Sequence, residues 1–255
     1  MYYTLLLCLT GKLQSWGNTS KFTDRQTWSE PSKSGVIGLI AAALGRKRDA
    51  DISDLSAYRF GVRSDAPGRI IKDLQNCTNE EDQSQTVKST RYCIEDATFL
   101  AAVESDCRRD LEIIDHALTY PRYILYLGRR SYLPGEDEIS LGIRDKGLEE
   151  ALFDEPWIAS EYMKTVIKRK NKGQIKPLKI SIESRAGEYR DSTKSDQPIS
   201  FDPTFRKFSK RGYRILYKSI EDLNNSSVFE DHDIISELSI TPPHKGARLE
   251  NRASE

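Results

Sequence analysis

Residues 2–10 alternate two sets of side chains, with Tyr3, Leu5, Leu7 and Leu9 on one side and Tyr2, Thr4, Leu6, Cys8 and Thr10 on the other. Both sets are mostly apolar, so the period of two predicts a central strand covered on both faces. Two glycines then bracket Gly11-Lys12-Leu13-Gln14-Ser15-Trp16-Gly17, predicting a loop that brings backbone amides close to a ligand. Pro31-Ser32-Lys33-Ser34 opens an almost wholly apolar stretch ending at Leu44-Gly45, which reads as a buried helix with serine caps. Residues 58–65 and 69–77 are strand-like and flank Ala66-Pro67-Gly68, so a hairpin is expected there. Residues 78–90 are polar and predict an arm or mobile loop. Strand character resumes at 98–103, and Leu111, Ile114, Ala117 and Leu118 recur at helical spacing within 109–119.

This order is close to the split βαβ pattern of ferredoxin-like domains, which RNA-recognition modules often use. Fold alone licenses no function. Further along, residues 122–132 end in a Gly128-Arg129-Arg130 turn, 147–161 read as an acidic helical stretch, and 178–183 and 215–220 read as strands. Residues beyond about 238 read as a tail containing Pro242-Pro243.

The chain has 255 residues and no net formal charge, which on its face argues against a free-standing nucleic-acid binder. The zero conceals blocks of one sign. The net charge is +5 over residues 1–48, −7 over 49–118, +1 over 119–146, −5 over 147–163, +11 over 164–218 and −5 over 219–255. A local field, not the total, decides what a surface attracts. The apolar run at 35–45 is too short to span a bilayer and no leader-like amino terminus precedes it, so a cytoplasmic protein is expected. Cys8, Cys77, Cys93 and Cys107 are scattered, with no paired spacing and no clustered histidine, which suggests reduced thiols, no metal site and no cofactor.

Catalytic patterns are absent from the sequence: there is no P-loop, no HExxH, no GxSxG and no dinucleotide fingerprint. The histidines are His116 on an amphipathic helix, His232 in a charged stretch and His244 in the tail. Binding chemistry is better represented. Lys33 and Ser34 at a helix start, beside a loop holding Lys12, Gln14 and Trp16, combine free amides, a positive dipole end and a stacking ring. Arg129 and Arg130 offer guanidinium forks suited to phosphate. The 205–214 run interleaves Phe205, Phe208 and Tyr213 with Arg206, Lys207, Lys210, Arg211 and Arg214, flanked by Lys194 and Lys218. Rings that stack and cations that follow a backbone are the pairing expected for single-stranded RNA. Each site has a structural alternative: Trp16 can plug a core edge, and the two arginines can pair with the acids at 136–138.

Four blocks carry a resemblance. Gly11-Lys12-Leu13-Gln14-Ser15-Trp16-Gly17, the stretch from Pro31 through Gly45, residues 92–99, and the stretch from Pro121-Arg122-Tyr123 to Gly128-Arg129-Arg130-Ser131 resemble, in order, the signature blocks of the CasD family. That family is the fifth Cas protein group, found in the type I-E CRISPR surveillance complex Cascade. The resemblance covers roughly the first 135 residues, while the remainder is similar only in general character.

It implies an α+β, ferredoxin-like, RRM-like fold of the RAMP superfamily. The expected division is a domain at 1–145 with a β-hairpin thumb at about 72–93, a smaller β-rich region at 146–240 and a tail at 241–255. It also implies a non-catalytic subunit that caps the 5′ handle of the CRISPR RNA, contacts the terminal backbone subunit and the large PAM-reading subunit, and meets target DNA only indirectly. The RNA-binding candidates are Lys12, Gln14, Trp16, Lys33, Ser34, Lys88, Arg91, Arg129, Arg130, Lys210 and Arg211. Two alternatives stand beside this reading. One is metal-independent cleavage of precursor RNA, as in the type I-C branch, which needs a base for the 2′-hydroxyl. The other is a generic single-stranded RNA binder outside CRISPR.

Overall fold

The doubly apolar alternation near the amino terminus builds β1 (Tyr3–Gln14), the strand around which the other elements assemble. The structure is a computed structural model and describes residues 1–17, 23–78, 86–135, 138–171 and 176–220. After β1 come β2 (Trp16–Gly17), β3 (Asp24–Arg25), β4 (Thr27–Trp28), α1 (Lys33–Ala43), α2 (Ser53–Ala57), β5 (Arg59–Ala66), β6 (Arg69–Thr78) and β7 (Thr86–Ser105). Then follow α3 (Arg108–Thr119), β8 (Ser140–Arg144), α4 (Leu148–Asp154), α5 (Glu161–Lys170), β9 (Leu178–Glu183), β10 (Ser192–Ser200) and β11 (Lys207–Lys218).

The fold is mixed α/β with a mostly antiparallel sheet in the order β10-β11-β9-β5-β7-β1-β8. β6 and the short β3 join β7 off that path, and β2 pairs β4 in a separate ribbon. Helices cover both faces, as the alternation of β1 requires. Leu5, Leu7 and Leu9 pack with residues of α1 and α3, among them Ile37, Ile40, Leu111 and Ile114. Leu6 packs on the opposite side with Leu148, Ala151 and Leu152 of α4 and with Ile180 and Ile182 of β9. The carboxy-terminal strands thus extend the sheet of the first 145 residues through β5 and β9, and do not build a sheet of their own.

Several local expectations change. The 11–17 segment is not an open loop: β1 runs on to Gln14, paired with Ile94 of β7, and Trp16 pairs across to Trp28. Ala66-Pro67-Gly68 is not a hairpin turn either, because β5 and β6 do not pair with each other. Both lie along the twenty-residue β7, β5 on its second half and β6 on its first. The reason is local geometry. Gly68 has a φ of 66°, and a Cβ there would meet Glu95 O at 2.4 Å. Opposite it, Asp96 also takes a positive φ of 52°. The chain therefore bends at these two positions without leaving its partner strand. Residues 86–90, expected in an arm or mobile loop, belong to β7 and pair with β6 in an arm. They are polar because the two-stranded arm formed with β6 has no core on either side. Residues 79–85 of that arm lie outside the described residues, as do the tail at 241–255, His232 and His244.

The connection from α4 to α5 is held by a buried ion pair. Arg63 and Asp65 of β5 are both fully buried and paired at 2.7 Å. Arg63 also donates to the carbonyls of Leu152, Glu155 and Pro156, which α4 leaves unbonded at its carboxyl end. Asp65 accepts from the Ile158 amide, and its carbonyl accepts from the Trp157 indole. Replacing Arg63→Leu strands a buried carboxylate and should lower unfolding free energy by roughly 3–5 kcal/mol. Urea unfolding checks this, and the double change Arg63→Leu with Asp65→Leu should recover part of the loss.

Candidate nucleic-acid interface

The start of α1, expected to offer amides and a cation to phosphate, is already occupied by the protein itself. Ser32 caps the helix by accepting from Gly35 N at 3.2 Å. The Lys33 amide donates to Asp196 Oδ2 of β10 at 2.9 Å. The Lys33 ammonium, 1% exposed, donates to both carboxylate oxygens of Glu183. Burial draws its pKa below the ordinary lysine value, with Glu183 pulling the other way. Ser34 is half-buried, its hydroxyl 3.4 Å from that of Ser32.

Gln14 and Trp16 are interior as well. The Gln14 amide donates to the carbonyls of Leu9 and Ala97 and accepts from the Trp16 indole at 3.1 Å. Trp16 is 1% exposed and packs against Gly35, so it plugs the junction of β1 and α1. Expected as RNA contacts, Gln14, Trp16 and Lys33 instead satisfy buried groups, and a phosphate or base would have to displace those partners.

A second buried charge cluster lies beside them. Glu30 accepts from Lys194, Lys179 and Ser181. Burial alone would raise the Glu30 carboxyl, but the ammonium groups of Lys194 and Lys179 outweigh it and hold its pKa below the ordinary value. Lys194 also sits over the rings of Trp28 and Tyr213. Arg211, opposite Lys194 in the β10–β11 ladder, pairs with Asp196 at 2.8 Å and lies over Phe60. Arg211 is therefore another expected contact that faces inward, while its neighbour Lys210 is exposed. Lys194 and Arg211, two of the cations of residues 164–218, are thus paired inside the protein.

A different set of cations remains at the surface, where β1 meets the arm. The 127–135 loop runs along β1, tied by Ser15 N to Leu127 O at 2.9 Å and by Gly135 N to Thr10 O at 2.9 Å. Lys12 is exposed between these ties. Gly128 has a φ of 95°, and a Cβ there would fall 1.7 Å from Ser15 O, so only glycine permits the approach. Arg129 is half-buried and donates to Tyr92 O at 3.1 Å and to the Tyr132 hydroxyl at 2.9 Å. It pins the turn to β7, leaving Arg130 exposed.

The arm continues this surface. Register places Lys72 opposite Tyr92, Leu74 opposite Thr90 and Asn76 opposite Lys88, all on one face. Lys72, Leu74 and Lys88 are exposed. Arg91 is half-buried on the other face, opposite Asp73 and beside Arg25 of β3. Lys72 escapes the sequence reading, because Ile70-Ile71-Lys72-Asp73-Leu74-Gln75-Asn76 has no polar and apolar alternation, and it is the register with β7 that puts it on the face of Lys88. His116 is exposed on α3 with its ring 5.2 Å from that of Tyr120. Among the described residues no cluster of His, Cys, Asp and Glu could hold a metal ion.

The structure defines a mixed α/β protein whose sheet carries a projecting arm with Lys72 and Lys88 on one face, and comparison with known proteins gives its class. The family model for CRISPR-associated protein (Cas_Cas5) matches residues 4–214. The chain is 31% identical over 232 residues to the protein described as CRISPR system Cascade subunit CasD of Escherichia coli strain K12, covering 83% of this chain and 95% of that one. A solved structure described as a Cas protein superposes with a TM-score of 0.64 at 35% identity, covering 86% of this chain and 97% of that one. A chain of a CRISPR RNA-guided surveillance complex matches in fold with a TM-score of 0.61 at 24% identity, covering 84% and 90%. This chain belongs to the CRISPR-associated Cas5 family.

The Glu30 cluster generates a pH prediction. A carboxyl with a depressed folded pKa contributes stability that is present above its unfolded value and is lost as pH falls through the folded one. The stability gap between the protein and its Glu30→Gln variant should be fully present above about pH 4.5, the ordinary glutamate range, and shrink below it. Urea midpoints measured from neutral to acid pH check this.

Proposed function

We propose that this chain is a non-catalytic subunit of a type I-E Cascade surveillance complex, acting in antiviral defence in the cytoplasm. It binds and caps the 5′ handle of the CRISPR RNA and bridges the terminal backbone subunit and the large PAM-reading subunit, meeting target DNA only through the assembly. The observation that carries the reading is the exposed cationic face of the arm, with Lys72, Lys88 and Tyr92 in one register beside the Arg130 turn. Kinship with a Cascade subunit over most of the chain supports the assembly. The ferredoxin-like, RAMP-type reading of the fold is supported by the chain order β1-α1-β5-β7-α3-β8, with β1 inserted beside β7 and β5 beyond it. On this reading the arm at 72–93 is the thumb of a 1–145 domain, to which β9, β10 and β11 add further strands. Among the described residues no helix is long and apolar enough to cross a membrane.

The RNA-contacting set is Lys12, Ser34, Lys72, Lys88, Arg91, Arg130 and Lys210, with Arg129 holding the turn. Gln14, Trp16, Lys33 and Arg211 act from beneath as the support. The alternative of an RNA-cleaving subunit is disfavoured by His116, which sits exposed on the helix layer against Tyr120 while the arm and turn carry the cations.

Two outcomes test the reading. Lys88→Ala and Arg130→Ala should each weaken handle-RNA binding and reduce the salt slope by about 1, without changing thermal stability. Co-expression with the partner subunits and guide RNA should show reduced recovery of the assembled complex. Unchanged affinity and recovery would overturn the assignment of these cations, and equal affinity for unrelated single strands would favour a generic binder. Separately, repeat RNA incubated with the pure protein in EDTA should remain intact; specific cleavage abolished by His116→Ala would overturn the non-catalytic assignment.

A further inference from the structure

α5 is the one helix among the described residues with no buried side chain. It is nonetheless amphipathic, with Met163, Val166 and Ile167 turned toward a groove of about 790 Å³ whose floor includes Trp157, Leu178 and Ile220. Across the groove stands the base of the arm, where Ile70 is 51% exposed. A ten-residue helix gains little from propensity alone, so a half-covered apolar stripe is expected to have a cover. The helix ends in Lys168-Arg169-Lys170, all exposed and none of them ion-paired with a described carboxylate. Lys170 and Lys176 reach the groove rim.

Ile220 closes the described part of the chain and is itself 4% exposed in the floor, packed with Trp157, Ala159 and Leu178. The next twenty residues, 221–240, carry Glu221, Asp222, Glu230, Asp231, Asp233 and Glu237, and no lysine or arginine. Among those acids stand Val228, Phe229, Ile234 and Ile235, and Leu238 follows the last of them. Acid and apolar positions in one segment match the apolar groove and cationic helix end.

Reach is sufficient, because eight residues span up to roughly 28 Å when extended and a ten-residue helix is about 15 Å long. Starting from the groove floor, the segment meets the helix at an effective concentration in the millimolar range, as a short tether gives. We propose that residues 221–240 of this chain dock in the groove between α5 and the base of the arm, covering the apolar stripe and neutralising Lys168-Arg169-Lys170. This inference does not rest on the RNA-binding reading.

Hydrogen exchange of the α5 amides tests it on three proteins: the full chain, a chain ending at Ile220, and the full chain carrying Phe229→Asp with Ile234→Asp. Exchange across α5 should accelerate about tenfold or more in both altered proteins, the signature of local opening, while amides of β1 and β7 stay as slow as before. A synthetic peptide of residues 221–240 should restore protection to the shortened chain, and a scrambled peptide of the same composition should not. If the shortened chain loses protection in β1 and β7 as well, the doubly substituted full chain decides. Unchanged α5 exchange in that variant would overturn the proposal. So would protection that appears only at concentrations where two copies associate, or only on adding guide RNA, since each would name another occupant.

Discussion

One strand imposes its geometry on the rest of the molecule. β7 is twenty residues long and pairs on one edge with β1 and on the other with β5 and then β6. From Cys93 onward it is anchored in the core, and residues 86–92 before that form an arm with no buried side chain. The position of the arm is therefore fixed by backbone hydrogen bonds continuous with the core ladder, which cost far more to break than surface side-chain contacts. The turn carrying Arg129 and Arg130 is tied to the same strand through Tyr92 O, so arm and turn lie side by side on one surface.

The carboxy-terminal strands are joined to this sheet by polar as well as apolar contacts. Lys33 meets Glu183 of β9, and Glu30 meets Lys194 of β10 and Lys179 of β9, while Arg211 of β11 meets Asp196 of β10, which also accepts from the Lys33 amide at the start of α1. Buried pairs of this kind contribute little net stability compared with apolar packing, but mispairing any of them strands a charge. They specify which strands join and in which register.

Much of the secondary structure was legible because it is periodic. Alternation drew β1 and β9, the serine-capped apolar stretch drew α1, and Leu111, Ile114 and Leu118 drew α3. β8 and β10 escaped because one is five half-buried residues and the other a polar edge strand containing Pro198, so neither shows a clean period. The site was only partly legible for a different reason. A lysine at a helix start reads as a phosphate ligand when its partner is out of view, and Glu183 stands 150 positions from Lys33. Local charge counting cannot see pairs closed by the fold. Gly128-Arg129-Arg130 reads as a turn, but the tie of Arg129 to Tyr92 depends on a strand 37 positions away.

Beyond the bend at Gly68 and Asp96 and the short β3 that pairs at Thr90 and Arg91, the arm runs on as a ribbon of β6 and β7, and a ribbon has a quantised design space. Adding two residues to each strand would lengthen its reach by about 7 Å and keep Lys72, Lys88 and Tyr92 on the same side. Adding one residue to each would turn newly placed side chains beyond the insertion to the opposite side. Related chains can thus vary arm length freely only in even steps, and an odd step would invert the polarity of the surface that the arm presents at its far end.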